Sequence, residues 1–319
     1  MEYNYAVAQV LVLDMSNWNI LISVILIFGG MIFVSPATLA EDESISMADP
    51  SLCAAADVTE LVTFVRSAVA YAQDNGSELA LKEFSNKTGS FVDGDLYIYA
   101  YDFNGTNVGH PFKDWIGKDK LNETDSNGVL YIRDLIDVSR DGEGFTYFIF
   151  PNPAHDNRDE FKIGYAMKVD DDWWLGSGLY LSDISASFDQ AEKEDLVAFV
   201  EEARQFAREN GREMSLEVFN DPAGDFTRGG RYIFAYDYEG MTLALPHQPE
   251  LVGTSRIDAQ DVNGVDFIQR AIDTAKMGSG FLYYVYPDTS RDMNQALKFS
   301  YVVDVDGTWF LGSGIYSQV

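Results

Sequence analysis

The sequence predicts an α+β fold, built twice in succession, and three observations point there. The string WWLGSGLY, Trp173 to Tyr180, returns as WFLGSGIY, Trp309 to Tyr316. Each copy closes a stretch that opens on a helical pattern, LVTFVRSAVAYAQDNG from Leu61 and LVAFVEEARQFARENG from Leu196. Between helix and closing string lie short β-prone segments separated by Gly, Asn and Asp turns. One helix followed by a run of antiparallel strands is an α+β pattern. The offset is 135 at Leu61/Leu196 and 136 at Trp173/Trp309, after one inserted residue near Pro246. That period is far too long for a solenoid unit and fits a duplicated domain.

The elements follow in order. Ile20 to Val34 is an uncharged apolar run, followed by PATLA and acidic Glu41. It reads as a signal peptide or an N-terminal membrane anchor over 1–40, with 41–54 as a linker. Leu61 to Gln73 has helical spacing, and Asn75-Gly76 is a fitting stop. Tyr97 to Tyr101 is a strand, turned by DFNG into the next. Tyr131 to Ser139 is a short helix. Phe145 to Phe150, Ile163 to Val169 and Trp173 to Tyr180 are three further strands, the last two joined by an acidic turn at Asp170 to Asp172. The second helix can begin near Asp189, because no breaker interrupts QAEKEDLVAFVEEARQFAREN, which makes the linker partly helical. The domains expected are 55–182 and 183–319.

The chain has 51 acidic and 22 basic residues, a formal net charge of -29. Such a surface repels nucleic acid and anionic lipid headgroups, which leaves membrane contact only through an uncleaved N-terminal segment. The single cysteine, Cys53, forms no internal disulfide. Four N-x-S/T sequons, at Asn75, Asn86, Asn104 and Asn122, crowd the first half and lean toward an extracytoplasmic location. No zinc-type His pair, nucleophile elbow, P-loop or dinucleotide fingerprint occurs, so neither catalysis nor a cofactor or metal is expected. Glu123 to Asp134 loosely imitates a calcium loop, with Glu at its first position and Asp at its twelfth. AQDVNG in the second copy destroys the pattern, so the segment reads as a turn.

In the first strand, Ile98 and Ala100 point one way and Tyr97, Tyr99 and Tyr101 the other. The small aliphatic face suits the N-terminal helix. The tyrosine face offers apolar bodies with hydroxyls that need partners, as in the wall of a small-ligand pocket.

Each copy resembles a single Cache domain of the second type, the PAS-like extracytoplasmic sensor module. The likeness rests on the order and spacing of Y-x-x-x-YD-x-x-G, VGHP or ALP, G-x-G-F before the third strand, K-x-x-Y, and the closing G-S-G-x-Y, all seen twice. It implies a long N-terminal helix on one face of an antiparallel sheet of five or six strands, and a pocket for a small molecule, often a short carboxylate, on the other. In receptors of the family a membrane helix and a signalling domain follow the final G-x-Y. Here three residues follow Tyr316, and the expectation is a binding protein without its own output domain, as in stand-alone Cache proteins of methanogenic archaea, partnered by a ligand and by a membrane receptor or envelope component.

The candidate ligand-binding residues are Tyr99, Tyr101, His110, Tyr147 and Lys162 in the first copy, and Phe234, Tyr236, Tyr283 and Lys298 in the second. The lysine of K-x-x-Y would pair a ligand carboxylate; the competing reading is an exposed strand lysine. A cell-envelope or adhesion protein with closed pockets is the competing function.

Overall fold

A computed structural model describes residues 55–317; the N-terminal segment, the linker and Cys53 lie outside the described residues. The first half opens with α1 (Ala55–Asn75) and α2 (Ser77–Phe84). The hairpin strands β1 (Val92–Asp93) and β2 (Leu96–Tyr97) precede β3 (Tyr99–Asp102) and β4 (Asn107–Gly109). Then come α3 (Tyr131–Arg140), β5 (Glu143–Asn152), β6 (Arg158–Lys168) and β7 (Trp173–Tyr180). The second half repeats the series as α4 (Gln190–Asn210), α5 (Arg212–Phe219), β8 (Thr227–Arg228), β9 (Arg231–Tyr232), β10 (Phe234–Asp237), β11 (Thr242–Ala244), α6 (Phe267–Lys276), β12 (Ser279–Asp288), β13 (Asn294–Asp304) and β14 (Trp309–Tyr316).

Each half holds a five-stranded antiparallel sheet, ordered β4-β3-β7-β6-β5 and β11-β10-β14-β13-β12. The α+β fold with a long helix on such a sheet is therefore present twice. The helical linker starts where the sequence placed it: the Asp189 side chain caps α4, accepting from the backbone of Ala191 (2.8 Å) and Glu192 (3.3 Å). The sequence reading missed α2 and α5. Asn-Gly ends each long helix as expected, but Gly76 and Gly211 (φ 80° in both) turn the chain by adopting a conformation open to glycine, and a second helix begins at once.

The two sheet faces carry different partners. Ile98 and Ala100 pack against Leu61, Val65 and Ala68 of α1, as their spacing required. Tyr97, Tyr99 and Tyr101 pack against α3 through Tyr131, Ile132 and Leu135. A third cluster joins the halves: Tyr147, Ile149 and Phe161 share it with Tyr283, Val285 and Phe299. All four sequon asparagines are exposed. The segment resembling a calcium loop is a tight turn in which Asp125 Oδ1 accepts from the backbone of Asn127 (2.9 Å) and Val129 (3.0 Å). Among the described residues no cluster of potential metal ligands is present, and no helix is long and apolar enough to cross a membrane.

Candidate functional site: two aromatic chambers, each beside a buried lysine

The first chamber lies between the β3–β7–β6–β5 surface and α3. Tyr97, Tyr99 and Tyr101 form its floor because strand alternation sends all three to the face away from α1. Phe148 and Phe150 of β5 form a wall, and α3 roofs it with Tyr131, Ile132 and Leu135. His110 and Lys162 complete the lining.

Lys162 is fully buried, so it is not an exposed strand lysine. Its ladder partners are Phe148 and Tyr180. Its Nζ lies 4.0 Å from the Tyr97 ring centre and 4.3 Å from that of Tyr180, both within cation–π range. It has no hydrogen-bond partner among the described residues. Burial pushes this ammonium down to about 7, against a weaker opposing pull from Asp95.

The repeated glycines explain how the lysine fits. A Cβ on Gly178 would stand 2.6 Å from the Ile163 carbonyl oxygen and 2.9 Å from Lys162 Cε, so the lysine stem lies directly on that glycine. A Cβ on Gly176 would meet the Tyr99 ring at 2.8 Å. G-S-G is thus a stretch of strand kept bare under two chamber side chains.

His110 serves the chamber and its edge at once. Its Nδ1 accepts from the backbone of Phe112 (3.0 Å) and Lys113 (3.2 Å), which fixes the tautomer with the proton on Nε2. Burial, then the nearby Lys162 and Lys113, push it down to about 3, so it stays neutral.

The second chamber repeats this plan with altered polarity. Tyr232, Phe234, Tyr236, Tyr284 and Tyr286 line it under Phe267 of α6. Lys298, also buried, donates from Nζ to the Tyr232 hydroxyl at 3.0 Å. Burial lowers it to about 7 as well. Gly314 lies under Lys298 as Gly178 lies under Lys162.

The structure thus brings together Tyr99, Tyr101, His110 and Lys162, and separately Phe234, Tyr236 and Lys298. It places Tyr147 and Tyr283 elsewhere, which corrects the sequence reading. The ladder pairs Lys162 with Phe148 and Tyr147 with Ile163, so Tyr147 faces away from the lysine. Its hydroxyl accepts from Asn263 Nδ2 of the second half at 2.8 Å. Tyr283 does the converse, donating to Asp125 Oδ2 (3.0 Å) and accepting from Asn127 Nδ2 (2.9 Å). Among the lining residues not named as candidates, Tyr131 and Leu135 had a signal in their apolar i, i+4 spacing on a short helix, whereas Phe148 and Phe150 had none beyond lying in a strand.

A Cache domain family model matches residues 73–319, more than three quarters of the chain. The chain belongs to the Cache domain family. Among curated proteins, a sensor histidine kinase, MctS of Rhizobium johnstonii, is 36% identical over 93 residues, which are 29% of this chain and 20% of that protein. The Cache chain thus spans about a fifth of the length of this relative. Among solved structures, a methyl-accepting chemotaxis protein from Vibrio parahaemolyticus is 28% identical, covering 40% of this chain and 88% of that one at a TM-score of 0.35. The ligand-binding domain of the Pseudomonas fluorescens chemoreceptor CtaA, solved with L-isoleucine, is 11% identical, covering 82% of this chain and 85% of that one at a TM-score of 0.27.

Proposed function

We propose that this Cache protein binds a small organic acid in its first chamber, outside the cytoplasm, with Lys162 as the counter-ion, and that it acts as a sensor or binding protein and not as an enzyme. One observation carries the reading: a fully buried lysine whose Nζ meets only aromatic faces. A buried cation is costly unless an anion pairs it, and a carboxylate entering the chamber would supply that charge. Tyr99, Tyr101 and His110 would shape the site around it.

The chamber as it stands encloses about 10 Å³, room for a single water. An acid therefore enters only if the chamber widens. The same tightness favours the second reading, an envelope protein whose chambers are closed.

Thermal melting and calorimetry with acetate, propionate and pyruvate separate the two. A ligand that binds only the folded state raises the melting temperature by linkage. We expect such a rise with at least one acid, and its loss in Lys162→Met. No shift with any of the three at millimolar concentration supports closed chambers. A shift that survives in Lys162→Met removes the lysine from the site.

A further inference from the structure

We infer that three of the four sequon asparagines, Asn86, Asn104 and Asn122, are N-glycosylation sites, and that Asn75 is not. The substrate class is an oligosaccharide carried on a polyprenyl phosphate or diphosphate. In the transfer Nδ2 bonds to the anomeric carbon of the sugar, and the bond from that carbon to the phosphate oxygen breaks. The lipid phosphate leaves with the electron pair, and one Nδ2 proton passes to a base of the transferring enzyme. The inference rests on one part of the proposed function, the location outside the cytoplasm, and on neither chamber.

The state of each amide separates the four. All four side chains are exposed, but an acceptor must also have its amide nitrogen unengaged. At Asn86 the oxygen is the end in use: Oδ1 accepts from the backbone and from the hydroxyl of Thr88, both at 3.2 Å, the residue that completes the sequon. At Asn122 Oδ1 accepts from Arg133 Nη2. At Asn104 only the backbone N–H is held, by Asp102 Oδ1 at 2.9 Å. The side-chain nitrogen of these three makes no hydrogen bond among the described residues. At Asn75 the nitrogen is the end in use, donating to the Tyr71 carbonyl at 2.9 Å. The second half explains that bond. Asn210, at the equivalent position, donates in the same way to the Phe206 carbonyl at 2.9 Å, and there Arg212 stands in place of Ser77. The contact therefore belongs to the last turn of α1 and α4, where carbonyls need donors, and it forms with or without a sequon.

The other three positions have different counterparts. Asn86, Asn104 and Asn122 correspond to Asp221, Glu239 and Asp258, and Thr88, Thr106 and Thr124 to Ala223, Met241 and Gln260. Both members of each motif are replaced together, and the asparagine each time by an exposed acid. A strongly hydrated group is thus kept at all three places. They also gather about one edge, since β4 and β11 are the outer strands of their sheets. Asn104 lies in the turn between β3 and β4. Asn122 follows Leu121, which lies so close to Gly105 of that turn that a Cβ there would meet it at 2.7 Å. Asn86 follows Ser85, whose hydroxyl would stand 3.5 Å from a Cβ on Gly109, at the other end of β4. An outer strand invites pairing with another chain unless charge or bulk covers it. The second half supplies charge there, and in the first half a glycan supplies bulk.

The test is mass spectrometry of the full chain purified from its own host, intact and as proteolytic peptides, with the cell fraction holding the protein recorded. Sugar is expected on the peptides containing Asn86, Asn104 and Asn122, and none on the peptide containing Asn75. Thr88→Ala keeps the asparagine and should remove only the Asn86 glycan. Asn104→Gln and Asn122→Gln should each remove one glycan, and Asn75→Gln should remove none. Peptide mapping of the parent decides the sites even where a variant folds poorly. Unmodified asparagines in protein found outside the cytoplasm overturn the inference and leave the chamber readings standing. Unmodified protein confined to the cytoplasm overturns the location as well. Sugar on Asn75 refutes selection by the free amide nitrogen, and sugar on Asn86 that survives Thr88→Ala refutes the sequon as its cause.

Discussion

Lys162 is the residue at which burial and charge conflict most openly. Its ammonium is lowered to about 7 in the folded protein and titrates near 10.4 in an unfolded chain. Between those values the unfolded state holds more protons, so this group's contribution to stability rises with pH from about 7 and levels off near 10. Below about 7 both states are protonated and the full penalty of the buried cation stands. Lys162→Met keeps the stem and removes the charge. The variant should therefore be more stable than the parent at pH 6 by a margin that shrinks steadily toward pH 10. Denaturant melts at four pH values measure this, and a margin independent of pH would show that the lysine is not a buried cation at neutral pH. Ligand affinity has the opposite trend: binding an acid requires the charged lysine, so affinity should fall as pH rises above about 7, with proton uptake seen by calorimetry in two buffers. How far the sequence reached is clear from neighbouring residues. Tyr99, Tyr101 and Lys162 were legible because strand alternation and the repeat place them. Tyr147 was misread because a strand's alternation does not say which of its two faces meets a given partner. That depends on the ladder register, and a slip of one residue exchanges Tyr147 for Phe148.

The closing strands β7 and β14 show why one string was kept in both halves. Gly176 and Gly178 leave room for Tyr99 and Lys162, and Gly312 and Gly314 do the same for Phe234 and Lys298. These glycines are packing positions for the chamber's own side chains. Gly178→Val places carbon against the Ile163 carbonyl and the lysine stem together, so the expected loss is about 1–3 kcal/mol, the range for overpacking. The same substitution should displace Lys162 and so weaken any acid bound in the first chamber. An unchanged unfolding midpoint with unchanged binding would contradict both statements. The helices were legible in unequal degree. α1 and α4 have long amphipathic patterns, and α3 was placed from the sequence at Tyr131 to Ser139. The eight-residue helices α2 and α5 were hidden behind the glycine stop that precedes each.

At the scale of the whole molecule the halves meet through equivalent groups used reciprocally. Tyr283 reaches Asp125 and Asn127 of the first half, and Tyr147 reaches Asn263 of the second. Asp125 Oδ2 also accepts from the backbone of Ile149, the residue between the chamber walls Phe148 and Phe150 (3.1 Å), and Asp261 does the same for Val285, between Tyr284 and Tyr286 (2.9 Å). Where the roof helices meet, one position has become unlike in the two halves: Asp134 on α3 is answered by Arg270 on α6, whose Nη1 donates to the Asp134 carbonyl at 3.5 Å. Burial raises the Asp134 carboxyl to about 7, and the Arg270 charge opposes that rise. Tyr283→Phe removes the donor to Asp125 from the other half. It should cost about 1–3 kcal/mol, the range for a buried polar group left short of a partner. It should also speed hydrogen exchange at Ile149 in the first half, although the substitution lies in the second; exchange altered only around residue 283 would refute that link. The sequence divides the chain at about residue 182, and we propose that this marks two domains able to fold apart. The cluster under α1 and the cluster beneath α3 consist wholly of first-half residues. The third cluster does not: cutting at 182 exposes Tyr147, Ile149, Phe161 and Ile163, which pack against the second half. A fragment spanning 55–182 should therefore melt cooperatively, because two complete clusters remain. It should melt at a lower temperature than the full chain, because the third is lost. It should also self-associate as concentration rises, since an apolar face of that size is left bare to water. Calorimetry and sedimentation of the fragment decide all three points. A gradual, non-cooperative melt would show that 55–182 is not a domain. A monomer that melts at the full-chain temperature would show that the shared cluster adds nothing to its stability.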